Sequence, residues 1–360
     1  MASLPAPLAA ALPRTPRIRA LAPVLAVATA AIVPFAIGAD YLFGAVLVPI
    51  LILSLAGLGL NILTGYAGQL SLGSAAFMAI GAFATYNIHL RVPGFTLLPA
   101  IVAGGFVSAG FGVLFGLPSL RVKGFYLIAS TLAAQFFVPW ALSQYGWFSN
   151  GSASGVITAP PLTLGGFDLD NPAGRYAVTL GVVAVLTLLA RNLIDSPTGR
   201  AWMAVRDMDL AAAALGIPLG RAKLLAFAVS SFLLGIAGAL WAFTYLGTVE
   251  PAGFDLDRSF QILFVIILGG LGSIRGNFLG AAFVVLLPVA LSVIGSAIAG
   301  PSLDPALLEN AQKVVFGALI IFFLVAEPDG LTKLLDRALP YPLELDRPDE
   351  TPPAGVAANV

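Results

Sequence analysis

A series of ten long apolar stretches constrains this chain more than any other feature. They lie near residues 20–39, 41–60, 70–88, 96–117, 124–142, 176–190, 224–246, 259–274, 277–299 and 314–326, and none has an Asp, Glu, Lys or Arg in its interior. A helix crossing the hydrocarbon core needs roughly 20 mostly apolar residues. Continuous runs of that kind predict membrane-spanning helices and do not match the short alternating segments of a β-barrel. The expected fold class is therefore all-α, a polytopic membrane protein with about ten transmembrane helices. Composition agrees: 59% of the 360 residues are hydrophobic and 10% are charged, where a soluble domain is about a quarter charged.

The same composition excludes several functions. Eighteen basic and eighteen acidic residues cancel, so no nucleic-acid partner is expected. The chain has no Cys, which removes disulfides, thiolate metal sites and Cys nucleophiles. It has no HExxH helix, no paired intramembrane carboxylates and no GxxxxGK[ST] phosphate loop. No catalytic residue, no metal site and no nucleotide site on this chain follow as expectations. The one His, His89, falls near the outer end of the third stretch and reads as structural. Spans without ionisable groups also weigh against ion-coupled transport, which usually keeps charge at membrane depth. Sodium sites built from carbonyls keep that class open.

Lys and Arg in the connections set the orientation. With the N-terminus in the cytoplasm, the inner segments hold Arg14, Arg17, Arg19, Arg121, Lys123, Arg191, Arg200, Arg206, Arg221, Lys223, Arg275, Lys333, Arg337 and Arg347. That is 14 of 18 basic residues; Arg91, Arg175, Arg258 and Lys313 remain outside. An even number of spans with both termini cytoplasmic follows. Arg14, Arg17 and Arg19 precede the first stretch as in a signal peptide, but a full-length apolar run argues for a retained helix. The expected layout is a cytoplasmic segment at 1–19, a transmembrane domain at 20–327 and a polar, Pro-rich cytoplasmic tail at 328–360. An outer loop occupies about 143–175 and an inner one about 195–222.

Small residues recur every four positions at Gly104, Ser108, Gly112 and Gly116, at Ser231, Gly235 and Ala239, and at Gly272, Gly276 and Gly280. That spacing puts them on one helix face, suited to close packing within the bundle or between subunits. Two Gly-rich interruptions break the apolar pattern. The first, 57–81, carries Asn61, Thr64, Gln69, Ser71 and Ser74; the second, 268–280, includes Gly269 and Gly270. They resemble each other weakly, as two halves of a pseudo-repeat do. Each reads either as an interhelical hydrogen-bond cluster or cytoplasmic turn, or as unwound backbone lining a solute path.

The inner loop predicts an amphipathic helix. Ser196 can cap it, Pro197 can start it, Gly216 can end it and Pro218 follows. Trp202, Val205, Met208, Ala212 and Leu215 fall roughly on one face, for a membrane surface or a partner's groove.

Resemblance to a known family enters at these residues. DMDLAAAALGIP resembles the cytoplasmic EAA loop of ABC importer permeases: Asp209 takes the acidic place, where Glu is usual, Ala211 and Ala212 the alanines and Gly216 the glycine. The longer string from Gly199 to Leu240 is similar to that of the Liv-type branched-chain amino acid permeases, as are GLNILTGYAGQLSLGSAAFMAIGA and FVIILGGLGSIRGNFLGAA. The likeness covers roughly 45–327; the outer loop 143–175 does not match. The resemblance implies an ABC importer permease in a bacterial inner membrane. Its path would include Asn61, Thr64, Gln69, Ser71, Ser74, Gly269 and Gly270. Its ATPase-coupling residues would be Arg200, Trp202, Arg206, Asp209, Ala211, Ala212 and Gly216. The partners implied are a second, related but non-identical permease subunit, two cytoplasmic ATPases that bind the ATP, and a periplasmic solute-binding protein. Branched-chain amino acids lead as solutes; relatives carrying urea, amides or aromatic acids keep those open, and a secondary transporter remains the alternative class.

Overall fold

Hydrophobicity on every side of a helix drives it to the centre of a bundle. The helix α1, Leu42–Tyr66, meets that condition: 89% of its apolar window is buried. Against it pack α5 (Pro172–Asp195), α8 (Leu219–Leu246), α9 (Leu256–Gly269) and α10 (Ile274–Ala299); α2 (Ser74–Arg91) and α3 (Leu97–Gly116) pack against α8 and each other, and α4 (Phe125–Gln144) against α2. Two short helices, α6 (Pro197–Asp207) and α7 (Asp209–Ala214), connect α5 to α8. In α3, α4 and α5 only 33–39% of the apolar window is buried, which leaves long apolar faces for lipid.

This computed structural model describes residues 40–120, 125–152, 156–164, 167–299, 310, 314–315, 317–318, 321–322 and 330–332. The segment 1–19, the expected span at 20–39, most of that at 314–326 and the tail from 333 onward lie outside the described residues. Each of the other eight expected spans coincides with one helix. Among the described residues six helices are long and apolar enough to cross a membrane: α1, α3, α4, α5, α8 and α10. The expected spans at 70–88 and 259–274 became α2 and α9, which fall outside that group. α9 has only 14 residues, and α2, with 18, is made too polar by Tyr86, Asn87, His89 and Arg91 toward its end.

The small-residue stripes on α3 and α8 turn inward and pack this chain against itself. A Cβ on Gly81 would overlap the backbone of Gly235, and one on Gly238 the backbone of Met78. Ser108 donates to the Phe77 carbonyl at 2.9 Å, and Gly112 sits against Ser231. Without side chains between them, α2, α3 and α8 approach closely enough for dispersion to hold them together in lipid.

The described part of the loop after α4 is pinned rather than free. β1 (Ile157–Thr158) pairs antiparallel with β4 (Thr248–Val249), just after α8, and β2 (Thr163–Leu164) pairs with β3 (Phe167–Asp168). Arg91 donates to the Trp147 carbonyl at 2.6 Å and lies 3.7 Å from the Trp147 ring centroid.

Candidate functional site: two broken helices and the helix pair beneath them

Both Gly-rich interruptions are breaks between helices, and one side chain joins them. α1 closes with a π turn, Ile62–Tyr66, a feature frequent at functional sites. Asn61, fully buried, stands just before that turn. Its amide nitrogen donates to the Ser273 carbonyl and to Asn277 Oδ1, both at 3.2 Å, and its Oδ1 accepts from Gly272 N at 2.9 Å. The second break, 270–273, needs its glycines: Gly270 has φ 112° and Gly272 φ 77°, a region that L side chains rarely enter. Asn61 therefore supplies partners to backbone freed by the break between α9 and α10.

The first break runs from Ala67 to Gly73. Thr64 Oγ1 donates to the Gln69 carbonyl at 3.2 Å, Gln69 N to the Leu63 carbonyl at 2.9 Å, and Ser71 Oγ accepts from Gly73 N at 3.3 Å. The Gln69 amide and the Ser74 hydroxyl are buried and have no hydrogen-bond partner among the described residues. Of the expected path residues, Asn61 bonds to Gly272, Ser273 and Asn277, just beyond Gly269 and Gly270; Gln69, Ser71 and Ser74 form a separate strip leading to α2.

The start of α2 has no cap of its own, although the first N–H groups of a helix require acceptors. Two other helices provide them. Ala75 N donates to Ser259 Oγ at 2.9 Å, and Ala76 N to Gln135 Oε1 at 2.8 Å. Ser259 Oγ also donates to Gln135 Oε1 at 2.9 Å, and Gln135 Nε2 to the Phe254 carbonyl at 2.9 Å. Leu72 N donates to Thr131 Oγ1 at 3.1 Å. Gln135 stands near the middle of the 20-residue α4, so α2 begins deep within the bundle.

The connection between α5 and α8 is two helices, not the single continuous one expected. Ser196 does cap α6, accepting from Thr198 N at 3.2 Å. The chain then breaks at Met208, whose backbone is extended (φ −158°, ψ 98°), and α7 ends at Gly216 with φ 84°. The break splits the expected face. Trp202, Val205 and Ala212 are buried, whereas Met208, Leu210 and Leu215 are 64%, 81% and 80% exposed. Trp202 Nε1 donates to the Ala222 carbonyl at 2.9 Å, which fastens α6 to the base of α8. Asp209 pairs with Lys223 at 3.1 Å, and Arg200 Nη1 donates to the Asp195 carbonyl at 3.0 Å. Arg206 stays partly exposed but reaches the core: Nη1 donates to the Gly65 carbonyl at 2.9 Å while Asp207 holds its other edge at 2.8 Å.

A sequence profile described as branched-chain amino acid transport system / permease component matches residues 42–324. This chain belongs to that family. The permease is 31% identical over 300 residues to the high-affinity branched-chain amino acid transport system permease protein LivM of Salmonella typhimurium, and equally to that of Escherichia coli K12. Each alignment covers 76% of this chain and 66% of the relative, slightly under two thirds of its length. It is also 28% identical over 248 residues to the autoinducer 2 import system permease protein LsrC of an Enterobacter strain, covering 67% of this chain and 68% of that protein. No solved structure matches the permease.

Several residues of the permease site were not picked out from sequence. Thr131 and Gln135 are polar residues inside an apolar span, the signal that singled out Asn61, but without glycines around them. Ser259 and Arg258 stood at a predicted boundary, where polar residues are ordinary. Leu210 seemed one apolar residue among many until the break at Met208 turned it outward.

Proposed function

We propose that this permease is one of two membrane subunits of an ATP-driven importer for branched-chain or related amino acids. Two separate ATPases dock beneath it, a periplasmic protein delivers the solute, and both termini are cytoplasmic. The second membrane subunit is a related, non-identical chain. The subunit itself binds no nucleotide and catalyses no reaction.

One observation carries this reading: α7 presents bare apolar side chains while its neighbour α6 is anchored in the bundle. Met208, Leu210 and Leu215 lie exposed beside the largely buried Asp209–Lys223 pair. An exposed apolar cluster on a short, fixed helix suits a partner's groove. Trp202 is buried and Arg206 is tied to Gly65, so both hold the element in place. Displacing α6 would act on Gly65 through Arg206, and through the adjoining Asn61 on the break between α9 and α10. Such a lever exchanges access between the two sides when the ATPases close. Asn61, Thr64, Gln69, Ser71, Ser74, Gly269 and Gly270 are the proposed path, in which amide and hydroxyl groups take a polar solute.

Reconstitution tests the reading. The permease, its second subunit, the ATPases and the loaded binding protein in liposomes are expected to accumulate leucine only with ATP. Accumulation by the permease alone, without ATPases, would overturn it.

A further inference from the structure

Arg258 carries its charge to the edge of the bundle, with its Nε buried. It stands in the first turn of α9, whose start at Leu256 precedes the expected span. Its neighbour Ser259 meets Ala75 and Gln135, so this turn lies at the depth where α2 begins. The guanidinium carbon is 4.0 Å from the ring centroid of Trp241, which is 3% exposed. Nη1 donates to Gln261 Oε1. Asp255 accepts from the Arg258 backbone N–H at 2.9 Å and is itself exposed. Among the described residues no carboxylate forms an ion pair with the Arg258 side chain.

Two donors here lack acceptors. Arg258 Nε and Trp241 Nε1 are both buried without a hydrogen-bond partner. Buried donors in native proteins are almost always paired, and an arginine at membrane depth is costly unless it serves a ligand or a counter-charge. The stacked indole stabilises the cation but cannot accept from its N–H groups. Asp255 acts on Arg258 electrostatically but takes only its backbone N–H; what is missing is an acceptor for these two donors, with two oxygens and negative charge. A carboxylate meets both requirements: one oxygen would take the Arg258 Nε–H and the other the Trp241 Nε1–H, the guanidinium carbon lying 4.0 Å from the centroid of the indole.

We propose that Arg258 and Trp241 form a carboxylate-binding station on the solute path, receiving the α-carboxylate of the amino acid. This rests on the importer reading above and narrows it to solutes that carry a free carboxylate. It also accounts for how a path otherwise lined by amides and hydroxyls selects an acid.

The experiment uses the complete reconstituted transporter with Arg258→Gln, Arg258→Lys and Trp241→Phe. At saturating loaded binding protein, Arg258→Gln is expected to lower leucine moved per ATP hydrolysed about ten- to hundredfold, the worth of one charged hydrogen bond. Arg258→Lys should recover part of it, and Trp241→Phe, which keeps the aromatic packing, should fall between. Wild-type transport by Arg258→Gln, or no recovery by a well-inserted Arg258→Lys, overturns the station. A second measurement, tryptophan fluorescence of the purified complex titrated with leucine, leucinamide and acetate, does not depend on ATP-driven uptake. A response to leucine that leucinamide does not give, and that Trp241→Phe abolishes, supports the station. Equal responses to leucine and leucinamide, or a response to acetate as strong as that to leucine, overturn it. Failure of the importer reading would appear separately, as absence of ATP-dependent uptake by the wild type.

Discussion

Arg206 Nη1 and the Gly65 carbonyl are 2.9 Å apart, although 141 residues separate them in sequence. The contact ties the inner helix pair directly to the π turn that ends α1. Gly68 leaves room for it: a Cβ there would come within 2.8 Å of Arg206 Cγ. The guanidinium is shared between that carbonyl and Asp207, so one side chain links the surface element to the core.

Arg206→Ala is expected to uncouple the transporter. The ATPases should still co-purify and hydrolyse ATP, while leucine moved per ATP falls about tenfold, in line with losing one charged hydrogen bond. Simultaneous measurement of hydrolysis and uptake in proteoliposomes checks this; an unchanged ratio would remove Arg206 from the lever.

Leu210→Asp should separate assembly from folding. Leu210 is 81% exposed, so stability should shift by only about 0.5 kcal/mol or less. Co-purification of the ATPases should drop sharply. Full recovery of ATPases with the variant would place the docking surface elsewhere.

The Asp209–Lys223 pair is largely buried, with 20% and 11% of the side chains exposed. Asp209→Lys sets two ammonium groups face to face, and loss of ATPase binding and transport is expected. Lys223→Asp in the same chain restores the pair and should restore uptake at least in part. A double variant no better than the single one would show that the acidic group acts by itself at that position.

Gln135→Leu removes the acceptor of Ala76 N–H and the donor to the Phe254 carbonyl. Stranding buried backbone groups costs about 1–3 kcal/mol. A lowered thermal midpoint in detergent is expected, and an unaltered midpoint would mean that water replaces the amide.

Most of the scaffold was legible because lipid imposes a simple rule: long apolar runs become helices, and small residues spaced by four come together. Eight expected spans were helices for that reason, and the Asn61 and Gly270 regions stood out because polar residues and glycines are conspicuous in hydrocarbon. What sequence did not reveal depended on a choice between local and distant partners. Met208 lies in a run that is helical by pattern, yet it adopts an extended backbone, and Trp202 and Asp209 on either side of it bond to α8. Gln135 looked like an isolated polar residue because its partners, Ala76, Ser259 and Phe254, come from other segments. The pairing of β1 with β4 was equally invisible, since two-residue strands carry no periodicity.

The helix α2 takes the acceptors for its first turn from side chains 59 and 184 residues further along the chain. A ribosome delivers those residues later, so newly made α2 enters the bilayer with two backbone donors open. They close only when α4 and then α9 arrive. Assembly therefore has an order built into it: the first turn of α2 is completed only after synthesis has passed Ser259.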